Sequence, residues 1–171
     1  MARHDALFRT LEGLDGRQIA FSSPKAFEAS VLPSAEMMRA HGIVHTPQYV
    51  NSHDSVYRAV ASGFYPAGGG VKSTFSSFLE KRRSQLRILY GTEKYTPYAM
   101  AALSTIPSET AKMLLIAIPK IGSSKKKIMN LLAMKSFMLA KDSDWDDVRN
   151  LHLTSKQTEI AEKGNVKCRF D

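Results

Sequence analysis

Polar side chains follow two short apolar runs of this sequence, and both groups are of types that bind small ligands. Ser52, His53 and Asp54 come after one run, and Ser22 and Ser23 come after the other. Hydroxyl and imidazole groups donate and accept hydrogen bonds, and an anionic partner favours the charged form of a histidine. We therefore interpret both serine-containing turns as candidate ligand-binding segments.

The residues around Ser52 predict a strand, a sharp turn and a short helix. Ser52 is a favourable N-cap residue, and Val56, Ala59 and Val60 recur at helical spacing before Gly63 ends the pattern. A strand that leads directly into a helix leaves the N–H groups of the first turn without intrahelical acceptors. These groups can hold an anion or a polar ligand.

The earlier turn has the same predicted form. Residues 18–21 predict a strand, Ser22 and Ser23 offer a cap, and Pro24 suits the first position of a helix. The helix expected from Pro24 onwards contains Pro33, which predicts an interruption. Because ligands bind at the carboxyl ends of strands in open α/β sheets, the two turns are expected to face one cleft.

Three consecutive glycines, Gly68 to Gly70, precede Val71 and Lys72. A phosphate-binding P-loop requires a glycine directly before its lysine and another five positions earlier. Val71 and Pro66 occupy those positions, so the match fails. The glycines instead predict that another chain segment or a ligand approaches the main chain closely.

The sequence predicts no catalytic group, no metal site and no cofactor. Adjacent residues such as Ser52 and His53 cannot take up the geometry of nucleophile and base, so we expect a protein that is not an enzyme. His41 and His45 have the spacing of a zinc-binding helix, but no glutamate follows the first histidine. Residues 142–146 carry three carboxylates of a calcium loop without its glycine, and we interpret them as acidic residues at a helix start.

The chain has 171 residues, a formal net charge of +8, 43% apolar residues and one cysteine. This composition suits a folded protein with a core and excludes an internal disulfide framework. Positive charge suits nucleic acid, an anionic membrane or small anions. The basic clusters 81–83 and 125–127 are not interleaved with aromatic side chains, so we expect no nucleic acid partner, and a nucleic-acid-binding protein is the less favoured alternative.

The rest of the chain predicts two further strands and then helices. Residues 87–90 and 97–103 predict the strands, helices follow from Ser108, and Ser143 is a candidate cap for the last helix. Residues 154–171 form a polar tail. No stretch has the length and apolarity of a transmembrane helix, and the first residues lack a hydrophobic signal core.

Five stretches in a common order resemble the C-terminal part of the phosphate/phosphonate-type substrate-binding proteins of ABC transporters, which have the type 2 periplasmic-binding-protein fold. The stretches are LEGLDGRQIAF, VLPSAEMMRAHGI, NSHDSVYRAVASGFYPAGGGV, TIPSETAKMLLIAI and FMLAKDSDWDDVRNL. The resemblance implies an α/β fold with a small mixed or parallel sheet flanked by helices, followed by C-terminal helices of a partial first lobe.

The organisation implied by the resemblance has four parts. They are an N-terminal extension over residues 1–14, a ligand-binding α/β lobe over 15–95, a helical segment of the other lobe over 96–153, and a tail over 154–171. The opening half of the first lobe is not expected among these residues. The C-terminal helices are therefore expected to expose apolar faces, through which the chain forms a homo-oligomer.

The resemblance implies a solute-binding protein in a periplasmic or extracytoplasmic location. Its partners would be a small polar or anionic ligand, such as a phosphorus oxyanion, and the membrane subunits of an ABC transporter. A ligand-sensing domain of a signalling system is the alternative within the same fold. The histidine of the family's ligand site matches His53, with Ser52 and Asp54 beside it. The family's hydroxyl-rich segment falls at residues 26–29, where Glu28 is expected to face the cleft and to repel strongly anionic ligands.

Overall fold

The computed structural model describes residues 1–153 except residues 97 and 133. The described chain contains two units, which comprise residues 1–93 and Lys94–His152. None of the helices within the described residues is both long enough and apolar enough to cross a membrane. The expected polar tail at 154–171 and the single cysteine lie outside the described residues.

Five short strands form one mixed sheet in the first unit. The strands are β1 (Ala2–Arg3), β2 (Gln18–Phe21), β3 (Thr46–Tyr49), β4 (Ala67–Gly68) and β5 (Leu86–Arg87), in the order β3-β2-β4-β1-β5. Strand β2 lies between β3 and β4 and runs parallel to both. Strand β1 runs antiparallel to both β4 and β5. The predicted α/β fold with a small mixed sheet is therefore confirmed.

Helical segments of several kinds connect the strands of the first unit. They are a 3-10 helix (Leu11–Leu14), a π-helix (Phe27–Val31), α1 (Leu32–His41), α2 (His53–Ala61), α3 (Lys72–Ser76) and α4 (Glu80–Arg83). The longest of them, α1 and α2, follow the parallel strands β2 and β3, as crossover connections between parallel strands require.

The core lies on both faces of the sheet, and strand β2 contributes to each face. Ile19 and Phe21 pack into one cluster with Leu14 and Met37, whereas Ala20 packs into the other with Val56. Alternate residues of a strand point to opposite faces, so this division follows from the strand itself. Ile19, Ala20 and Phe21 are each at most 2% exposed, as expected for a strand that is covered on both sides.

The predicted strand at 18–21 and the predicted cap at Ser52 are both confirmed. Ser52 is the N-cap of α2, and its hydroxyl oxygen accepts the main-chain N–H of Ser55 at 3.0 Å. Val56 and Val60 on the predicted apolar face are fully buried. The helix ends at Ala61, just before Gly63, which has a φ of 78°.

The predicted helix from Pro24 onwards is wrong over its first turns. The main chain turns at Ser23, whose carbonyl accepts the N–H of Ala26 at 3.2 Å, and the π-helix begins at Phe27. The α-helix begins only at Leu32, so Pro33 lies in its first turn and does not interrupt it. A proline at this position costs no hydrogen bond, because the first N–H groups of a helix have no intrahelical acceptor.

The second unit contains helices joined by segments without regular secondary structure. It contains α5 (Ser108–Ser124), α6 (Lys126–Leu131), a 3-10 helix (Asp142–Trp145) and α7 (Asp146–Arg149). Helix α5 carries large apolar side chains that are 44–70% exposed, namely Met113, Leu114, Leu115 and Ile116. The expectation of exposed apolar side chains on the C-terminal helices is met.

Three local predictions in the later part of the chain are wrong. The strand expected at 87–90 is instead the two-residue β5, which ends at Arg87, and residues 98–103 form no strand. Ser143 does not cap a helix. Instead, the carboxylate of Asp144 accepts the main-chain N–H of Lys141 at 2.9 Å, and the segment opens as a 3-10 helix. The side chain of an aspartate has replaced the predicted serine in stabilising this start.

Candidate functional site

The carboxyl ends of three parallel strands meet at one edge of the sheet. Phe21 of β2 pairs with Tyr49 of β3, and Ala20 pairs with Gly68 of β4. The segments that leave these strands therefore begin side by side. Two of them are the turns at Ser22-Ser23 and Ser52-His53, so the structure brings the two predicted turns to the same edge.

The turn from β3 into α2 is tight and begins in an unusual main-chain conformation. The carbonyl of Phe21 accepts the N–H of Val50 at 2.9 Å, and the carbonyl of Val50 accepts the N–H of Ser52 at 3.0 Å. Asn51 between them has a φ of 70°, in the left-handed region where asparagine is tolerated better than most residues. The turn reverses the chain at once and places the first turn of α2 at the sheet edge.

His53 is the first residue of α2 and is partly exposed. Its Nδ1 atom is buried and has no hydrogen-bond partner among the described residues. Its ring stacks on Tyr57, with centroids 6.4 Å apart and an interplanar angle of 29°. The neighbouring Asp54 is exposed and pairs with Arg58 at 2.6 Å, which directs its carboxylate along the surface of the helix.

Ser22 leaves the end of β2 as a buried polar residue. It is 5% exposed, and its Oγ atom has no hydrogen-bond partner among the described residues. A buried hydroxyl without a partner costs about 1–3 kcal/mol, so such groups are rare and call for an explanation. Ser23 differs from it, because its hydroxyl oxygen accepts the main-chain N–H of Lys25 at 3.3 Å.

The π-helix that follows Ser22-Ser23 packs against the end of β4. A side chain at Gly69 would overlap the carbonyl oxygen of Ala29, and its Cβ would lie 2.5 Å from the ring of Phe21. The predicted close approach at the glycines is thereby confirmed as an approach of another chain segment. Glu28 lies on this π-helix and is half-buried, with no ion-pair or hydrogen-bond partner within the part of the chain that is described.

Ser30, also on the π-helix, resembles Ser22 in its environment. It is 2% exposed, and its Oγ has no hydrogen-bond partner among the described residues. π-helical turns inside helices are frequent at functional sites. Sequence reasoning missed Ser30, although a single serine between Ala29 and Val31 in an otherwise apolar run is a signal for a buried hydroxyl.

Tyr57 was also missed, and it joins several parts of this edge. It is 1% exposed, and its hydroxyl forms a hydrogen bond of 2.6 Å with the hydroxyl of Thr74. Burial raises the pKa of Tyr57, and its hydrogen bonds to Thr74 and to the carbonyl of Val71 oppose that rise. Its spacing of four residues from His53 on a predicted helix was the available signal.

The described residues at this sheet edge contribute groups suited to hydrogen bonding. Ser34 and His45 do form a serine–histidine contact of 3.1 Å, but both are buried inside the unit. Within the described residues no three histidine, cysteine, aspartate or glutamate side chains lie together as metal ligands would. His41 is exposed and contacts the ring of Tyr90, away from His45.

Comparisons with known proteins identify the family and the fold of this chain. The model of the family described as "ABC transporter, phosphonate, periplasmic substrate-binding protein" matches residues 1–145. Among solved structures, XAC2383 from Xanthomonas citri, bound to chloride ion, is similar with a TM-score of 0.71 and 14% sequence identity. The match covers 92% of this chain and 63% of that chain, so this chain spans under two thirds of its structural neighbour. No curated protein matches.

Proposed function

The chain belongs to the family of periplasmic substrate-binding proteins of phosphonate ABC transporters, and we propose that it binds a small polar ligand at the carboxyl edge of β2, β3 and β4. The observation that carries the proposal is the pair of turns at this edge. Ser22 and His53 each present a buried polar atom without a partner among the described residues. A ligand that hydrogen-bonds to these groups would remove the cost of leaving them unpaired.

The main chain at the start of α2 adds to this site. The N–H groups of His53 and Asp54 occupy the first two positions of the helix, where no intrahelical acceptor exists. The positive end of the helix dipole favours a negatively charged or polar group of the ligand at this point. Ser52 uses its hydroxyl to cap the helix and so supports the site mainly by holding the turn.

In this proposal, Glu28 determines whether the site prefers anionic, neutral or cationic ligands. Its carboxylate is half-buried and has no cationic partner among the described residues. A strongly anionic group close to it would be repelled, whereas an ammonium group would be attracted. We therefore expect ligands that are neutral, or that carry a positive group beside the polar group held at His53.

The proposed partners and location follow from the family. A substrate-binding protein of this kind delivers its ligand to the membrane subunits of an ABC transporter outside the cytoplasm. The chain would act by binding and release and not by catalysis. Ser23 and Asp54 line the same edge but already have partners within the chain, so their substitution should weaken binding less than substitution of Ser22 or His53.

A thermal-shift screen of the purified chain tests the proposal. The ligands are phosphate, phosphite, methylphosphonate, and neutral and cationic metabolites such as ethanolamine. A compound that binds only the folded state raises the melting temperature, and the rise increases with its concentration. A ligand concentration of about 100 times Kd increases the free energy of unfolding by about 2.7 kcal/mol. A response in wild type that is lost in His53→Ala and retained in His41→Ala supports the site. A response that His53→Ala retains in full removes His53 from the site.

Glu28→Gln tests the charge preference in the same screen. The neutral variant should bind methylphosphonate better than wild type does, and should lose its preference for cationic compounds. Tight binding of methylphosphonate by the unmodified chain would show that Glu28 does not exclude anions. Glu12→Gln is the matched control, because Glu12 is an exposed carboxylate in the 3-10 helix Leu11–Leu14.

A further inference from the structure

Tyr57 lies directly behind the candidate ligand residue His53. The two rings are stacked, with centroids 6.4 Å apart. This separation is within the range in which aromatic rings attract one another. The residues are four positions apart on α2, so they lie on the same side of the helix. Tyr57 is buried and His53 is partly exposed, so the contact joins the interior to the edge.

The hydroxyl of Tyr57 is fixed at its far end by the start of α3. It donates to the hydroxyl oxygen of Thr74 at 2.6 Å, and Thr74 donates to the carbonyl of Val71 at 2.9 Å. The Tyr57 oxygen also lies 3.3 Å from that carbonyl, but the two hydroxyl protons serve the two shorter contacts. The hydroxyl of Thr74 and the carbonyl of Val71 therefore hold one end of the tyrosine ring.

The ring itself is enclosed by apolar neighbours. Phe75 and Phe78 contact it edge-on, with centroids 5.5 and 5.2 Å away. Gly70 leaves room for it, because a Cβ there would lie 2.6 Å from the tyrosine oxygen. The plane of the Tyr57 ring is thus limited by Phe75 in α3, by Phe78 just after α3 and by Gly70 just after β4.

Among the described residues, no hydrogen bond anchors the ring of His53. The orientation of an imidazole is usually set by a hydrogen bond at the ring nitrogen that does not bind the ligand. In the described part of the chain neither ring nitrogen of His53 has a hydrogen-bond partner. The stacked ring of Tyr57 is therefore the contact that can set the plane of the imidazole.

We infer that Tyr57 is a positioning residue for the ligand site: its ring fixes the plane of His53, and its hydroxyl anchors that ring to α3 through Thr74. The inference rests on the proposed function, because the orientation of His53 affects binding only if His53 contacts the ligand. Nothing in the proposed function itself requires an aromatic residue at position 57.

The test combines NMR of the histidine rings with binding measurements on four variants. The His53 resonances are assigned by their loss in His53→Gln. Tyr57→Leu removes the stack, and Tyr57→Phe and Thr74→Val remove the hydroxyl anchor. Leu14→Ala is the control, because Leu14 is buried in the core cluster on the other face of the sheet from Tyr57. The probes are methylphosphonate as an anion and ethanolamine as a cation.

We expect Tyr57→Leu to move the His53 ring resonances and to weaken binding of the preferred probe about tenfold, which corresponds to about 1.4 kcal/mol. Tyr57→Phe and Thr74→Val should each weaken it about threefold, with smaller movements of the same resonances. Leu14→Ala should lower the melting temperature but leave the His53 resonances close to those of wild type.

Unmoved His53 resonances in Tyr57→Leu would overturn the inference, and so would an equal movement in Leu14→Ala. If Tyr57→Leu fails to fold, Thr74→Val decides the matter, because Thr74 is exposed and its substitution does not open the core. If wild type binds neither probe, the binding proposal fails for these chemistries. The resonances still decide whether Tyr57 positions His53.

Discussion

Replacing Gly69 by alanine should destabilise the first unit, because the end of β4 lies against the π-helix with no space for a side chain. A Cβ at this position would lie 2.5 and 2.6 Å from two ring carbons of Phe21 and closer still to the carbonyl oxygen of Ala29. Carbon atoms in good contact are about 3.5–4.0 Å apart. The neighbours would have to move by about 1 Å or more.

The neighbours of Gly69 cannot easily give way. Phe21 is 1% exposed and lies in β2, which is paired on both sides, and the other clashing atom belongs to the main chain. Overpacking of this kind costs about 1–3 kcal/mol, whereas removing a flexible glycine from the unfolded chain stabilises the protein by about 0.4–1 kcal/mol. We expect Gly69→Ala to be about 1.3 kcal/mol less stable than wild type.

Gly91→Ala provides the matched control for this prediction. A Cβ at Gly91 meets nothing within 4 Å, and its φ is not in the left-handed region. This variant should therefore be about as stable as wild type or more stable by about 0.5 kcal/mol. Both substitutions remove one glycine from the unfolded chain. The difference between the free energies of unfolding of the two variants therefore measures the cost of the steric overlap at position 69.

Urea unfolding followed by far-UV circular dichroism measures the difference. With a slope of about 2 kcal/mol per molar urea, the midpoint of Gly69→Ala should lie about 0.7 M below that of wild type. The reasoning is refuted if the two alanine variants unfold within about 0.3 M of one another. Because the π-helix carries Glu28 and Ser30, Gly69→Ala should also weaken any ligand binding that wild type shows.

Three further predictions concern the cap, a buried histidine and the second unit. Ser52→Ala should cost about 1 kcal/mol in urea unfolding through loss of the helix cap, and an unchanged midpoint would contradict that role. Burial lowers the pKa of His45, so below pH 6.5 the unfolded chain binds a proton at this residue that the folded chain does not. The contribution of His45 to stability should therefore be full above that pH and fall below it. Burial also lowers the pKa of the Met1 amino group, to about 6, so urea midpoints should decline below pH 6.5 more steeply in wild type and in His41→Gln than in His45→Gln. Because Met113 and Ile116 are 70% and 61% exposed, the chain should self-associate in light scattering, and glutamate at both positions should weaken this; a wild-type monomer at all concentrations would contradict it.

The sequence predicted those elements whose signals are local. Strand β2 has a short apolar run, and α2 has a cap residue, apolar positions at helical spacing and a glycine after its end. Each of these features acts within a few residues, so tertiary contacts did not need to supply it. The turns at Ser22 and His53 could be assigned to one edge because parallel strands end on the same side.

The errors arose where distant residues decide the local conformation. The main chain from Ser23 to Val31 turns and forms a π-helix in contact with Gly69, although Pro24 favoured a helix start. The strand expected at residues 97–103 rested on composition alone, and no neighbouring strand pairs with the described residues there. Strand propensity depends strongly on such pairing.

The sequence by itself determined the cap at Ser52 and the two polar turns, because each depends on residue type and short spacing. Its α/β fold was implied by the resemblance to the substrate-binding family. Only the tertiary structure placed β1 between β4 and β5, since a two-residue strand has no periodic signal. It alone revealed the unpartnered hydroxyls of Ser22 and Ser30 and the support of His53 by Tyr57. Whether a polar group is buried and whether it has a hydrogen-bond partner depend on the residues packed around it. These residues come together only when the chain folds.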